Sequence, residues 1–342
     1  MIRAMMKMRT RRFGARARHR ITVAEIEACS KVLFTVFTRY GDAIIAFKAI
    51  SEFAATYGNK DYLLITSPQL FPYARRILGK APVEIEALDK RRNPVKILMI
   101  MRRLGKEGFD MGFNPWSHGE ESRFFITYAK MFSFFKGFTE RPGQYNLYKR
   151  TREYLNLSEP LREGQGGNTF VVENKNKNKK ILVSPFSSNH LKSLSADDLK
   201  RLIGLLETRY PGSKITIAGA EGMGLKGVAT IMFGKDRSEG FLHALDGCDL
   251  FIGVDAGPLH IADIMGKPSV GIFGPTAPES VLDKDTGVQA LRLRGLDGMF
   301  CDKKDCKDPV CIHALFEHDA FDLVAAFDFG REIRLEEKKC PL

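Results

Sequence analysis

The stretch that decides the fold is Gly253-Val254-Asp255-Ala256-Gly257-Pro258-Leu259-His260, which is followed by Phe273-Gly274-Pro275-Thr276. The pattern predicts a strand that ends in a tight turn, a helix that begins at that turn, and a second strand that ends in another Gly-Pro loop. Backbone N–H groups at the start of a helix are unpaired and lie at the positive end of the helix dipole. They suit a phosphate or diphosphate, so the sequence predicts a phosphorylated ligand here.

The residues of this turn fit that ligand. Gly257 lets the backbone approach a ligand closely, and Pro258 is tolerated in the first helical turn because its missing N–H would be unpaired anyway. His260 lies in the same turn, where it either donates a hydrogen bond to a phosphate oxygen or has a structural role. The loop Gly274-Pro275-Thr276 supplies further backbone and hydroxyl donors, and two such loops at one sheet edge predict a diphosphate cradle.

The rest of the chain alternates strand-like and helix-like runs, which is typical of parallel α/β sheets. Strands are predicted at 32–38, 62–66, 83–88 and 109–114, and helices at 43–57, 69–78, 94–106 and 122–135. The alternation resumes with strands at 181–184, 214–218 and 250–254 and helices at 196–210 and 239–245. We therefore predict two α/β domains, 21–160 and 181–330, with 161–180 as a linker or loop and 331–342 as a tail.

The composition of the chain limits the class of protein it can be. The chain has 342 residues, of which 44% are hydrophobic and 27% charged, as in folded soluble proteins. The net charge is +12, and residues 1–20 hold eight Lys or Arg residues without one acid. This segment is either a disordered extension, a targeting segment, or a site for anionic lipid or nucleic acid. No apolar run reaches the roughly 18 residues of a transmembrane helix, and six cysteines are too few for a disulfide scaffold.

Two further segments carry chemistry. Gly41-Asp42 follows the first strand, where open α/β folds bind ligands, so Asp42 is either a general base or an N-cap. The segment Ser184 to Lys192 follows the first strand of the second domain. Lys192 can neutralise charge on a departing phosphate, and Ser187 or Ser188 can hydrogen-bond to it. The alternative is a surface lysine.

Two other motifs are weak. Gly222-Met223-Gly224-Leu225-Lys226-Gly227 has the spelling of a dinucleotide fingerprint but starts several residues after its strand, which favours a loop over a nicotinamide site. Cys301, Cys306 and Cys311 are spaced more widely than zinc ligands usually are, which favours structural thiols. We expect neither a metal nor a cofactor.

Together these segments resemble glycosyltransferase family nine, the heptosyltransferases of the bacterial lipopolysaccharide core. The resemblance spans roughly residues 32–280 and implies the GT-B fold, in which two Rossmann-like domains face each other across a cleft. It implies Asp42 as general base and Lys192 as a phosphate-stabilising cation. Donor binding would involve the following residues: Ser187, Glu221, Asp255, Ala256, Gly257, Pro258, His260, Gly274, Pro275 and Thr276. Arg39 and Gly41 would contact the acceptor.

The resemblance further implies inverting, metal-independent transfer of a sugar from a nucleotide-sugar donor, commonly ADP-heptose, to a lipopolysaccharide core or related glycan. A phosphorylated, membrane-held acceptor predicts peripheral association with the cytoplasmic face of the inner membrane, aided by the Arg-rich segment and by any exposed side chains among Phe124, Phe125, Phe132, Phe134 and Phe135. Ala256 is a departure, because the family often has a hydroxyl residue there. Alternatives are a GT-B transferase with another donor, a sugar-nucleotide epimerase, an oxidoreductase, and a noncatalytic glycan- or lipid-binding protein.

Overall fold

The computed structural model describes residues 2–18, 20–89, 93–117, 119–135, 146–158, 179–219, 225, 228–232, 237–294, 306, 309–316 and 333–334. The chain divides into two compact units. Unit 1 comprises Met1–Thr139 and Leu147–Leu161, and unit 2 comprises Glu140–Asn146 and Arg162–Leu342.

Unit 1 is built on a parallel sheet with strand order β3-β2-β1-β4-β5. Its strands are β1 (Lys31–Val36), β2 (Asp61–Thr66), β3 (Val83–Ala87), β4 (Met111–Phe113) and β5 (Met131–Ser133). Its helices are α1 (Ile2–Gly14), α2 (Val23–Ala28), α3 (Tyr40–Tyr57), α4 (Phe71–Leu78), α5 (Pro94–Glu107), α6 (Glu120–Ile126) and α7 (Leu147–Tyr154). The near-continuous apolar strands follow from burial of both sheet faces.

The two faces of this sheet are covered by different helices. Phe34 of β1 packs edge-on against Phe53 of α3, with ring centroids 5.4 Å apart. Leu33, on the opposite face, shares a core cluster with Ile97 of α5 and Phe124 of α6. Successive side chains of a strand point to opposite faces, so α3 lies on one side and α5 and α6 on the other.

Unit 2 repeats the architecture, with strand order β11-β10-β9-β6-β7-β8 in a second parallel sheet. Its strands are β6 (Lys180–Ser184), β7 (Lys214–Gly219), β8 (Ala229–Met232), β9 (Leu250–Val254), β10 (Ser269–Ile272) and β11 (Val288–Leu291). The pair β12 (Leu293–Arg294) and β13 (Ile333–Arg334) forms a separate ladder. The helices are α8 (Ala196–Arg209), α9 (Ser238–Gly247), α10 (Gly257–Ile264), α11 (Pro278–Val281) and α12 (Val310–His313).

Three predictions from the sequence differ from the structure. Residues 2–14 form helix α1 rather than a disordered tail, and Met6 is buried in the core of unit 1. The helix predicted at 122–135 ends at Ile126, and β5 occupies Met131–Ser133. Asp42 is not an N-cap, since Arg39 holds that position and α3 begins at Tyr40. In the last case the helix simply starts three residues earlier than the apolar run suggests.

The aromatic residues of 124–135 are mostly core. Phe124, Phe125, Phe132 and Phe135 are buried, and Phe134 is half-buried. Among the described residues, no helix is both long enough and apolar enough to cross a membrane.

Candidate active site

The predicted phosphate loops of unit 2 do meet at one sheet edge. Strands β6, β9 and β10 are neighbours, and all three run parallel, so their carboxyl ends lie side by side. Ser184 of β6 is level with Gly253 of β9, and Val254 of β9 is level with Ile272 of β10. We call the residues that follow these three strands the unit 2 edge: Pro185–Lys192, Asp255–His260 and Phe273–Thr276. Parallel α/β sheets bind ligands at such an edge.

An ion pair joins two of the predicted residues at this edge. Lys192 Nζ donates to Asp255 Oδ2 at 2.7 Å. Asp255 is buried, with 6% of its side chain exposed, while Lys192 retains 19% exposure. The carboxylate therefore fixes the ammonium group at the edge while leaving part of it open to a ligand. A short 3₁₀ turn at His190–Lys192 places the lysine there.

His260 completes this cluster from the first turn of α10. Its side chain is 5% exposed, and its Nε2 lies 4.0 Å from Asp255 Oδ1. Burial lowers the pKa of His260; the nearby Asp255 carboxylate raises it, and the Lys192 ammonium lowers it further. The imidazole is therefore neutral at pH 7, with one ring N–H as a donor and the other nitrogen as an acceptor.

The start of α10 has the features of an anion site. The N-cap is Ala256, whose extended backbone precedes the helix, and no side chain caps the helix. By contrast, Ser195 caps α8 through a complete capping box. Gly257 and Pro258 are buried, and a buried helix start without a cap is unusual unless a ligand satisfies it. Ala256 thus offers no side-chain oxygen to the helix start, where Pro258 has no N–H and the Leu259 N–H donates to the Ala256 carbonyl at 3.0 Å.

The loop after β10 adds a buried donor. Thr276 is 8% exposed, and within the described residues its Oγ1 has no hydrogen-bond partner. Buried hydroxyl groups are normally paired, so an unpaired one at a ligand edge is consistent with a ligand contact. Pro275 is buried beside it.

Gly274, in the same loop, has a role in packing. A Cβ atom at this position would collide with the side chain of Ile312 and would lie 3.2 Å from Cys311 Sγ. Packing against α12 therefore requires glycine at this position. Cys311 is buried in that contact, which agrees with a structural thiol. His313 of α12 holds the helix to α8 through Nδ1–Asp198 Oδ2 at 2.6 Å.

Ser187 lies in an ordered turn of the unit 2 edge. Its backbone N–H donates to Ser193 Oγ at 2.9 Å, and its own Oγ accepts from the Asn189 N–H at 3.3 Å. The hydroxyl proton of Ser187 remains available as a donor, because the known bond uses the oxygen only as an acceptor.

In unit 1, Asp42 lies in the first turn of α3, at the carboxyl end of β1. Thr38 Oγ1 donates to Asp42 Oδ2 at 3.3 Å. The positive end of the helix dipole stabilises the charged carboxylate. Gly41 is half-buried and Arg39 is exposed in the same turn, so a basic side chain and a carboxylate border this edge.

A strained segment that the sequence patterns do not predict lies at the carboxyl ends of the unit 1 strands, where Asp42 also lies. Trp116, after β4, has φ 56, a left-handed conformation that is rare for a bulky residue and clusters at functional sites. Two hydrogen bonds hold the segment of Trp116 and Ser117 in place. Trp116 Nε1 donates to Thr151 Oγ1 at 2.5 Å, and Ser117 Oγ accepts from the Phe37 N–H at 2.9 Å. The pair Asn114-Pro115, directly before Trp116, is the one sequence feature that indicates a turn here, because such pairs favour turns.

Other predicted residues lie outside the described part of the chain. These are Glu221, the loop Gly222–Gly227 apart from Leu225, and Cys301. Among the residues that the structure describes, no cluster of three or more His, Cys, Asp or Glu side chains is arranged to hold a metal ion.

Comparisons with known proteins agree with this geometry. Residues 143–307 match the model of glycosyltransferase family 9 (heptosyltransferase). Escherichia coli ADP-heptose lipopolysaccharide heptosyltransferase II superposes with a TM-score of 0.57 at 15% identity, covering 86% of this chain and 99% of that one. E. coli heptosyltransferase WaaC with ADP gives a TM-score of 0.55 at 15% identity, and the match covers the same shares of the two chains. The family 9 glycosyl transferase of Veillonella parvula gives a TM-score of 0.55 at 15% identity, and the match covers 78% of this chain and 86% of that one. No curated protein sequence matches the chain significantly.

These matches confirm the resemblance to glycosyltransferase family nine and the GT-B fold class. The chain is a glycosyltransferase, similar to the heptosyltransferases.

Proposed function

We propose that the protein transfers a sugar, heptose in the first instance, from a nucleoside-diphosphate donor to a lipopolysaccharide core or a related surface glycan. The observation that carries this proposal is the ion pair of Lys192 and Asp255 at 2.7 Å beside the uncapped start of α10. The arrangement brings an ammonium group and a helix start without a side-chain cap to one sheet edge. Such a site suits a diphosphate that gains negative charge as it departs.

ADP-heptose is the proposed donor. Two structurally similar proteins are an ADP-heptose lipopolysaccharide heptosyltransferase and a heptosyltransferase solved with ADP, and the family model that matches residues 143–307 is that of heptosyltransferases. In this chain the diphosphate would contact Lys192, the start of α10 and Thr276, whose buried Oγ1 lacks a partner among the described residues. His260, in the first turn of α10, is proposed to lie against a phosphate oxygen of the donor. Glu221 is proposed, from the resemblance alone, for the ribose.

Asp42 is the proposed general base. Its carboxylate would accept the proton of an acceptor hydroxyl group while that oxygen forms a bond to the anomeric carbon of the donor. The bond from the anomeric carbon to the phosphate oxygen breaks, and the nucleoside diphosphate leaves with the electron pair. Attack opposite to the leaving group inverts the anomeric centre. The bond from Thr38 Oγ1 at 3.3 Å would orient the carboxylate.

No divalent metal ion is needed in this scheme, because Lys192 and the helix N–H groups supply the positive charge at the diphosphate. Arg39, exposed beside Asp42, is proposed to contact a phosphate of the acceptor, and Gly41 to allow close approach of the acceptor. The proposed location is the cytoplasmic face of the inner membrane, where such an acceptor is held.

The experiment is direct. The protein is incubated with a panel of nucleotide sugars and truncated lipopolysaccharide acceptors, with and without EDTA, and products are detected by mass spectrometry. We expect one glycosylated acceptor, ADP release and no effect of EDTA. Transfer from a different nucleotide sugar would replace the donor assignment. Conversion of the donor without an acceptor would indicate an epimerase, and acceptor binding without turnover would indicate a noncatalytic protein.

A further inference from the structure

The exposed large apolar side chains of the described residues are concentrated on two helices. They are Met8 at 67% exposure, Val23 at 44%, Val95 at 64%, Leu98 at 51% and Met99 at 66%. Four of these five belong to α1 or α5. Single exposed apolar residues are ordinary, but a concentration on one part of the surface indicates a binding site.

The two helices cover the same face of the unit 1 sheet. Met6 of α1 and Ile97 of α5 belong to one core cluster with Leu33 and Leu63 of the sheet. Helix α1 is further held to α6, because Arg9 Nε donates to Thr127 Oγ1 at 3.0 Å. The Arg9 guanidinium also lies 3.8 Å from the ring centroid of Tyr128. The outward sides of α1 and α5 therefore both point away from the same face of the unit 1 sheet.

Cations accompany the apolar residues on both helices. The exposed residues of α1 recur every three to four positions and include Lys7, Arg11 and Arg12 beside Met8. The whole segment 1–20 has no acidic residue. On α5, exposed Arg102 follows Leu98 and Met99 by one turn. We define the docking face as Lys7, Met8, Arg11, Arg12, Val95, Leu98, Met99 and Arg102.

We infer that the docking face binds the surface of an anionic lipid bilayer, with the apolar side chains among the acyl chains and the cations at the headgroups. Helices that present both kinds of side chain outward are suited to a membrane interface. The inference rests on the peripheral location in the proposed function and assigns it to particular residues. Four of the five phenylalanines considered from the sequence are buried, so they do not supply the apolar part.

A nucleic acid would also be attracted by the cations, but the apolar part of the docking face favours a bilayer. Single-stranded nucleic acid is usually bound by aromatic stacking, and the docking face has no aromatic residue. Duplex DNA presents phosphates without an apolar layer, so it would leave Leu98 and Met99 in water.

The test uses the full chain and vesicles, with sedimentation as readout. Vesicles contain 30% phosphatidylglycerol in phosphatidylcholine, or phosphatidylcholine alone, and binding is compared at low and high salt. Each cation near an anionic surface contributes about fivefold to binding. We expect Lys7→Gln/Arg11→Gln/Arg12→Gln to weaken binding to the anionic vesicles by about a hundredfold. Leu98→Ser/Met99→Ser should weaken it by about tenfold or more.

A matched control removes the same charge elsewhere. Arg75→Gln/Lys80→Gln/Lys214→Gln alters exposed residues outside the docking face, and it should bind vesicles like the wild type. All variants are checked by thermal unfolding and by ADP affinity, which report the fold and the unit 2 edge independently of membranes. Substitution is preferable to deletion of residues 1–20, because deletion would also remove buried Met6.

Three results would overturn the inference. They are equal binding by the docking-face and control triples, equal binding to neutral and anionic vesicles, and tighter binding to a 20-base-pair DNA than to anionic vesicles. Sugar transfer can persist in all three cases, so a failure here is distinguishable from failure of the proposed function.

Discussion

Substitution of Lys192 by methionine should separate the structural role of the ion pair from its role at the diphosphate. Methionine keeps much of the side-chain volume but removes the cation 2.7 Å from Asp255 Oδ2. Removing one partner of a fully buried pair costs about 3–5 kcal/mol. Because Lys192 is 19% exposed and water reaches the pair, we expect a smaller loss of about 2 kcal/mol. This corresponds to a decrease in Tm of about 4–8 °C for a domain of 150–250 residues.

Transfer should fall much further than stability explains. Loss of a donor that stabilises transition-state charge typically lowers kcat by about 10²- to 10³-fold. The double variant Lys192→Met/Asp255→Asn removes the unpaired carboxylate charge, so it should recover most of the lost Tm while transfer remains low. Thermal unfolding followed by circular dichroism gives Tm, and release of ADP gives kcat and KM.

The control is Lys200→Met, since Lys200 pairs with Asp197 at 3.1 Å with both side chains largely exposed. It should change the free energy of unfolding by less than about 1 kcal/mol. An unchanged Tm in Lys192→Met would refute the buried ion pair. Recovery of both Tm and transfer in the double variant would refute the role of Lys192 at the diphosphate.

Two further predictions concern the same edge. Burial lowers the pKa of His260 below its ordinary value of 6.5. At mildly acidic pH the imidazole is therefore protonated more fully in the unfolded chain than in the folded chain. The free energy of unfolding should therefore fall as the pH drops from 7.5 to 5.5. Urea titrations should show a weaker pH dependence for His260→Asn than for the wild type. An identical pH dependence in the two proteins would contradict a lowered pKa for His260. Thr276→Val replaces the unpaired Oγ1 by a methyl group of similar size. It should leave Tm unchanged or slightly raised and weaken ADP binding by about two- to tenfold in calorimetry, whereas a clear loss of Tm would show that the hydroxyl serves the fold.

Much of the fold follows from local patterns. The alternation of apolar strands and amphipathic helices predicts both sheets, and Gly257-Pro258 correctly predicts a helix start after β9. The main error in the first domain was the predicted helix 122–135, where the structure has β5 at Met131–Ser133. That segment is short and aromatic, and periodicity does not distinguish a short buried strand from the end of a helix.

The site was predictable in its parts but not in its contacts. Asp255 and Lys192 were each identified from their own loops, but they lie 63 residues apart. Their pairing depends on β6 and β9 being neighbours in the sheet, which local pattern does not specify. The requirement for glycine at position 274 depends on α12, which packs against the loop from residues 310–313. Helix α1 was missed because its charges suggested disorder, whereas a few buried contacts hold it.

The measurement that tests the account most directly is the single-turnover rate of transfer by Asp42→Asn with a saturating nucleotide-sugar donor. Loss of a general base lowers the rate of the chemical step by about 10²- to 10⁴-fold. Donor affinity should be unchanged, because the proposed donor residues belong to unit 2. Asp61→Asn, at a carboxylate that is 79% exposed, is the control and should transfer at the wild-type rate. A rate for Asp42→Asn within about threefold of wild type, a difference of less than 1 kcal/mol, would contradict the central claim that Asp42 activates the acceptor for transfer.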